Sequence, residues 1–230
     1  MKNAPNLEKT SNDGEYPSQA SMENAIQDIE DLILPWFSSE REMNFNETRM
    51  ALEKLKKAHG INLTKIKRIL LTTNGSVTRI LQSIQRKSTY QVCVHTMNQI
   101  LTRYPGRGNA FTIQERLGIE PRMEYNFRKV LLTTRKHRYI LAISLTPLCM
   151  LSPEFRDDLM RADVPIGILL DRYKLEMLRR ITVIGAVYPT AEMQEVFKIG
   201  EQRKIPFRSY EIIHEKKLLM KIYEFLNPNL

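Results

Sequence analysis

Residues 124–145, EYNFRKVLLTTRKHRYILAISL, decide the fold class. Two runs rich in β-branched, aromatic and leucine residues, Glu124–Thr134 and Arg138–Leu145, flank the short basic link Arg135-Lys136-His137. That pattern predicts two strands joined as a hairpin. A further strand is predicted upstream over 89–102 (TYQVCVHTMNQILT), where polar and apolar residues alternate. Downstream, Arg179–Tyr188 reads as a strand, and Pro206–Phe225 as two strands around His214-Glu215-Lys216-Lys217. Strands grouped as hairpins with helices at intervals predict an α+β fold built on an antiparallel sheet flanked by helices.

The helices announce themselves by spacing and caps. Ile26, Ile29, Leu32, Ile33 and Trp36 recur at helical intervals, an amphipathic helix that Pro35 should end or kink. A second helix is expected from about Arg49 to His59, capped by Asn46 or Thr48 and stopped by Gly60. Asn74-Gly75 marks a turn, and Ser76 is a natural cap for a helix carrying Val77, Ile80, Leu81 and Ile84. Pro153 opens a helix running to about Met160, and another begins near Pro165 and runs toward Tyr173. Glu192–Ile199 reads as a short helix or loop, and Tyr104–Asn109 as a loop. The domain reading is a disordered tail over 1–20, N-terminal helices over 21–60 and one α+β domain over 61–230.

Composition narrows the function classes. A chain of 230 residues, 42 % hydrophobic and 27 % charged, is long enough to bury a full core and too apolar to be disordered throughout. No run approaches the about 20 apolar residues of a membrane span. The polar, acidic start does not resemble a secretory signal. Cys93 and Cys149 make neither a disulfide framework nor a four-cysteine zinc site, and are expected to be buried thiols in a reducing cytoplasm. His59, His95, His137 and His214 lack metal-ligand spacing, so no metal is expected. Residues 1–48 hold three Lys/Arg against ten Asp/Glu, which leaves 32 against 16 in the remainder of this +9 chain. A basic body suits an anionic partner: nucleic acid, a membrane surface or a small polyanion. No Walker loop, Gly-x-Gly-x-x-Gly, Gly-x-Ser-x-Gly or His-Glu-x-x-His motif is present, nor a helix-turn-helix or aromatic RNA-binding stripe.

Two strings go further. RILLTTNGSVTRIL at 68–81 and SLTPLCMLSPEFRDDLMRADVPIGILL at 144–170 resemble the chorismate pyruvate-lyase family, in the branch seen in archaea and cyanobacteria. The resemblance runs from about Leu63 to Pro228. It implies an antiparallel sheet flanked by helices, with a buried ligand pocket under two helical flaps. It also implies a cofactor-independent carbon–oxygen lyase of the cytoplasm, which eliminates pyruvate from chorismate to leave 4-hydroxybenzoate for a quinone or methanopterin route. The partner so implied is a small molecule, with no nucleic acid and no membrane.

Carried over residue by residue, the resemblance assigns Ser76, Val77 and Thr78 to the first flap, with the backbone of Val77 touching the ring substituent. Ile166 and Gly167, in Pro165-Ile166-Gly167, belong to the second flap, where Ile166 lines the pocket. Arg128, in FRKVLL, is expected to bind the ring carboxylate. Glu224, in YEFLNP, is expected near the ring oxygen, as orienter or proton carrier. The chain departs from the compact enzymes at Ile143, where they have an arginine. The resemblance then requires another cation for the enolpyruvyl carboxylate, and Arg79, Arg122 and Arg179 are the candidates. The alternative on the same fold is a non-catalytic ligand-sensing domain. Regulators of that kind have a DNA-binding domain ahead of the sensor, whereas the residues ahead of the match here are acidic, which disfavours contact with DNA.

Overall fold

The structure is a computed structural model that describes residues 31–32, 41–85, 92–103, 123–161 and 164–230. The tail over 1–20, the loop over 104–109, Arg122 and most of the expected helix over 21–35 lie outside the described residues.

Six strands form one antiparallel sheet: β1 (Cys93–Arg103), β2 (Glu124–Thr133), β3 (Arg138–Pro147), β4 (Leu178–Val187), β5 (Ile205–His214) and β6 (Lys217–Leu226). Their order across the sheet is β1-β2-β3-β6-β5-β4. The β2–β3 hairpin pairs Phe127 with Leu145, Arg128 with Ser144 and Leu131 with Leu141. The link over 134–137 is closed by Thr134 N–H donating to the His137 carbonyl at 2.8 Å. The β5–β6 hairpin turns through Glu215 and Lys216, both at positive φ (49° and 63°), as the two central residues of a primed turn require. The long-range step is β3 against β6, which joins the halves through Ile140–Leu226, Ala142–Glu224 and Ser144–Ile222.

The helices described around the sheet are α1 (Phe45–His59), α2 (Lys65–Thr72), α3 (Val77–Ser83), α4 (Pro153–Met160), α5 (Ile166–Arg172) and α6 (Ala191–Phe197). The first begins earlier than the sequence suggests. Asn44, not Asn46 or Thr48, is the cap, because Glu47 three residues on reaches back to the Asn44 N–H and completes a capping box. Gly60 does end it, in the left-handed region at φ 62°. Ser76 caps α3 as its sequence position suggests, and α4 opens at Pro153 with Ser152 as its cap. The short basic run after Leu63 is α2. Its Lys67 is buried, and Nζ donates to the carbonyls of Pro228 (2.7 Å) and Asn62 (3.0 Å), which moors the C-terminal segment.

Period-2 alternation divides the core into two layers. One face of the sheet packs Leu132, Ile140, Tyr210, Ile212 and Ile222 against Leu55, Leu70, Leu81, Phe155 and Leu169 of the helices. The other face packs Tyr125, Phe127, Leu141, Ile143, Phe207, Tyr223 and Phe225 against Met193 and Phe197 of α6. Both cysteines are exposed, contrary to the expectation of buried thiols. Cys93 opens β1, an edge strand, and Cys149 lies in the single turn that follows β3. No described helix is long and apolar enough to cross a membrane.

Candidate active site

A cavity lies between the first face of the sheet and α3 and α5, with about 560 Å3 of empty space including its mouth. Its floor follows the period of the strands. Arg128, Val130 and Leu132 come from β2, Ala142 and Ser144 from β3, Ile222 and Glu224 from β6, and Tyr210 and Ile212 from β5. Its roof is made by Gly75, Ser76, Val77 and Thr78 on one side and Pro165, Ile166, Gly167 and Leu170 on the other. Arg179 of β4 closes the wall. Every residue assigned to the site from the sequence, namely Ser76, Val77, Thr78, Arg128, Ile166, Gly167 and Glu224, therefore lines one cavity.

Local chemistry builds the two roof segments. Thr73 Oγ1 accepts from Gly75 N–H at 2.9 Å, fixing the turn, and the Ser76 side chain accepts from Arg79 N–H to start α3. Pro165 pre-sets the backbone for α5, whose first bond runs from Ile168 N–H to the Pro165 carbonyl at 2.9 Å. The two segments touch. A Cβ on Gly167 would sit 2.9 Å from Ser76 Oγ, so glycine is what allows this approach. Farther out, Arg79 and Asp171 form an ion pair at 2.9 Å between α3 and α5.

The polar groups are paired in a way the sequence did not reveal. Glu224 is 4 % exposed. Its Oε2 accepts from Arg208 Nε at 2.7 Å, and its Oε1 accepts from the Tyr210 hydroxyl at 3.1 Å. Burial, and then the neighbouring Glu224 carboxylate, push the Tyr210 phenol far above its ordinary value, so it stays a hydrogen-bond donor. The Arg208 guanidinium stacks over the Tyr210 ring at 4.8 Å. Two arginines also hold the roof: Arg208 Nη1 donates to the Thr73 carbonyl at 2.7 Å, and Arg128 Nη2 to the Val164 carbonyl at 3.0 Å. Arg128 and Arg208 thus tie the strands of the floor to the segments that cover the cavity.

Sequence reasoning missed Arg208, Tyr210, Ala142 and Ser144. The available signal was alternation: 208 and 210 share a face with 224, and the small residues at 142 and 144 interrupt an otherwise bulky strand. Ile143 also takes on a different meaning. It lies in the second core layer, on the face away from the cavity, so a cation at that position would not point into the site. Among the other candidate cations, Arg79 is engaged with Asp171 outside the cavity and Arg122 lies outside the described residues. Arg179 lines the cavity.

Comparison with known proteins agrees on the fold. The effector domain of PhnF from Mycobacterium smegmatis superposes with a TM-score of 0.53 at 10 % identity, covering 68 % of this chain and 91 % of that domain. The whole of PhnF gives the same TM-score and identity, with 69 % of this chain and 66 % of that one covered. In sequence, the protein MJ0807 of Methanocaldococcus jannaschii, named provisionally as a lyase, is 30 % identical over 162 residues, which are 68 % of this chain and 75 % of that protein. Residues 71–230 match the family described as Chorismate pyruvate-lyase Rv2949c-like, a span that contains both roof segments and the whole described sheet. The chain belongs to that family.

Proposed function

We propose that the protein converts chorismate into 4-hydroxybenzoate and pyruvate. The observation that carries this reading is the spacing of charge across the cavity floor. Arg128 on β2 and Glu224 on β6 stand on either side of β3, two strand spacings apart, about 10 Å at the usual ~4.8 Å per strand. Between them β3 presents only Ala142 and Ser144, which leaves room above it for a flat ring. Val130, Leu132, Ile166, Leu170, Ile212 and Ile222 supply apolar walls. A ring with a carboxylate at one end and a hydroxyl at the other suits that frame: the guanidinium takes the carboxylate and Glu224 accepts from the hydroxyl.

The chemistry asks little more of the protein than placement and charge compensation. The ether bond between the ring and the enolpyruvyl oxygen breaks, and its electron pair leaves with that oxygen. The hydrogen on the neighbouring hydroxyl-bearing ring carbon leaves as a proton, and the ring becomes aromatic. The departing enolate takes up a proton and becomes pyruvate. Aromatisation drives the reaction, and a water-poor cavity with fixed donors holds the arm in line and stabilises the developing negative charge. Glu224, held by Arg208 and Tyr210, acts as an orienter of the ring hydroxyl.

The test is to mix purified protein with chorismate and to measure both products. The expected result is 4-hydroxybenzoate and pyruvate in equal amounts, at a rate unchanged by a chelator. Protein that binds chorismate tightly and leaves it intact would replace this reading with a ligand-sensing one.

A further inference from the structure

We infer that Arg179 is the cation that takes the second carboxylate of the substrate, the one on the enolpyruvyl arm, and so makes the cavity selective for a dicarboxylate. The inference rests on the reading above. A chorismate-sized ligand brings two negative charges into a cavity lined mostly by apolar residues, and each needs a fixed partner. Arg128 stands at one edge of the floor. Glu224 and its two donors close the other end and repel an anion.

Arg179 has the geometry for the remaining charge. It sits on β4 opposite Ile212, whose side chain is part of the floor. Its Nη1 donates to the Asn74 carbonyl at 3.2 Å, and Nη2 lies 4.0 Å from where a Cβ on Gly167 would be. The guanidinium therefore spans the seam between the two roof segments. Its Nε is buried and makes no hydrogen bond among the described residues. Nε and Nη2 form one edge of the guanidinium, the edge that grips a carboxylate with two parallel bonds. The rival candidate, Arg79, has its own terminal nitrogen on Asp171.

Position supports the same conclusion. Arg179 lines both the closed cavity and an outer groove shared with Phe45, Arg49, Thr72 and Asn74. A carboxylate held there lies at the boundary between the two, on the side from which a small leaving acid can depart without disturbing the ring.

The experiment compares wild type with Arg179→Met and Arg179→Lys against two ligands, chorismate with two carboxylates and 4-hydroxybenzoate with one. Arg179→Met is expected to lose about 10²-fold in kcat/KM for chorismate, mainly through KM, as for a lost charge-assisted pair. Its Kd for 4-hydroxybenzoate and its Tm should stay at wild-type values. Arg179→Lys should recover part of the loss, since an ammonium keeps the charge without the fork. A variant that loses affinity for both ligands equally, or for neither, overturns the assignment while wild-type turnover still stands. Wild-type protein that neither converts nor binds chorismate overturns the proposed function, and this inference falls with it.

Discussion

The two faces of the sheet are made by alternate residues of the same strands, yet they treat buried charge in opposite ways. On the face away from the cavity the ionic groups close on one another. Lys221 donates to Thr182 Oγ1 at 2.7 Å and lies 3.7 Å from Glu211, and Arg180 reaches Glu211 Oε2 through Nε (2.9 Å) and Nη2 (2.6 Å). Lys129 meets Glu192 of α6 at 2.6 Å. Lys221 also lies over the Tyr223 ring, 5.5 Å from its centre. On the cavity face Arg208, Tyr210 and Glu224 are equally well paired, but Glu224 and Tyr210 border empty space, as does Arg128. One face uses buried charge to clamp elements together, and the other turns it toward a cavity. Burial alone does not separate the roles, since Arg128 and Lys221 are each 1 % exposed. What separates them is whether a cavity lies beside the group.

The largest expected effect breaks or confirms that contrast directly. On the proposed reading, Arg128→Ala leaves a substrate carboxylate without its partner, which typically costs about 3–5 kcal/mol and roughly 10²–10³-fold or more in kcat/KM. Tm should change little, because removing a buried guanidinium also removes the cost of burying its charge. Arg128→Lys should restore only part of the activity. On the opposite face, Glu211→Leu leaves Lys221 and Arg180 facing an apolar side chain. It should destabilise the fold by about 3–5 kcal/mol while sparing kcat/KM of the molecules that remain folded. Steady-state kinetics and thermal melts on both variants decide the matter. If Arg128→Ala melts early and keeps its activity, the functional contrast between the faces is wrong.

A smaller effect sharpens the account of Glu224. Tyr210→Phe removes one of the two donors that hold the carboxylate and leaves the Arg208 pair in place. One buried hydrogen bond is worth about 1 kcal/mol, so a loss of roughly 5–10-fold in kcat is expected. A pH–rate profile unchanged in shape would mark Tyr210 as a positioning residue, and a displaced limb would mark Glu224 as a proton carrier.

Much of this contrast was legible in the sequence, and the rest was hidden for identifiable reasons. Local signals worked: the alternation over 124–145 marked the hairpin, Ser76 and Pro153 marked helix starts, and Gly60 marked a stop. The motif residues of the two roof segments were readable as strings, and the structure brings them to one cavity. What stayed hidden depends on which strands become neighbours. Arg208 and Tyr210 read as an ordinary alternating strand until β5 is laid beside β6 and both meet Glu224. The pairing of β3 with β6 is likewise invisible locally, yet it sets the small floor residues Ala142 and Ser144 between the two charged edges. Ile143 looked like a missing arginine because a one-dimensional match does not show which face a position occupies.

The smallest effect concerns a histidine outside both clusters and tests whether the pH dependence of stability and that of activity have separate origins. His59 ends α1, and its Nδ1 lies 3.1 Å from Lys204 Nζ, an approach in which the ammonium donates to a neutral ring. Its Nε2 is buried and has no hydrogen-bond partner among the described residues. Burial first, and then the positive charges of Lys204 and Lys54, hold its pKa below the ordinary value of 6.5. Between that lowered folded value and 6.5 the unfolded chain binds more protons than the folded one, so stability must rise with pH across that window. The contribution is complete above 6.5 and is lost as the pH falls through the window toward the folded value. His59→Gln keeps an acceptor for Lys204 and removes the titration. Melts followed from neutral pH into the acid range should therefore fall less steeply for His59→Gln than for wild type. The pH–rate profile for chorismate should be the same in both, because His59 does not line the cavity. A variant that keeps the wild-type slope of Tm with pH would move the origin of that slope to another group.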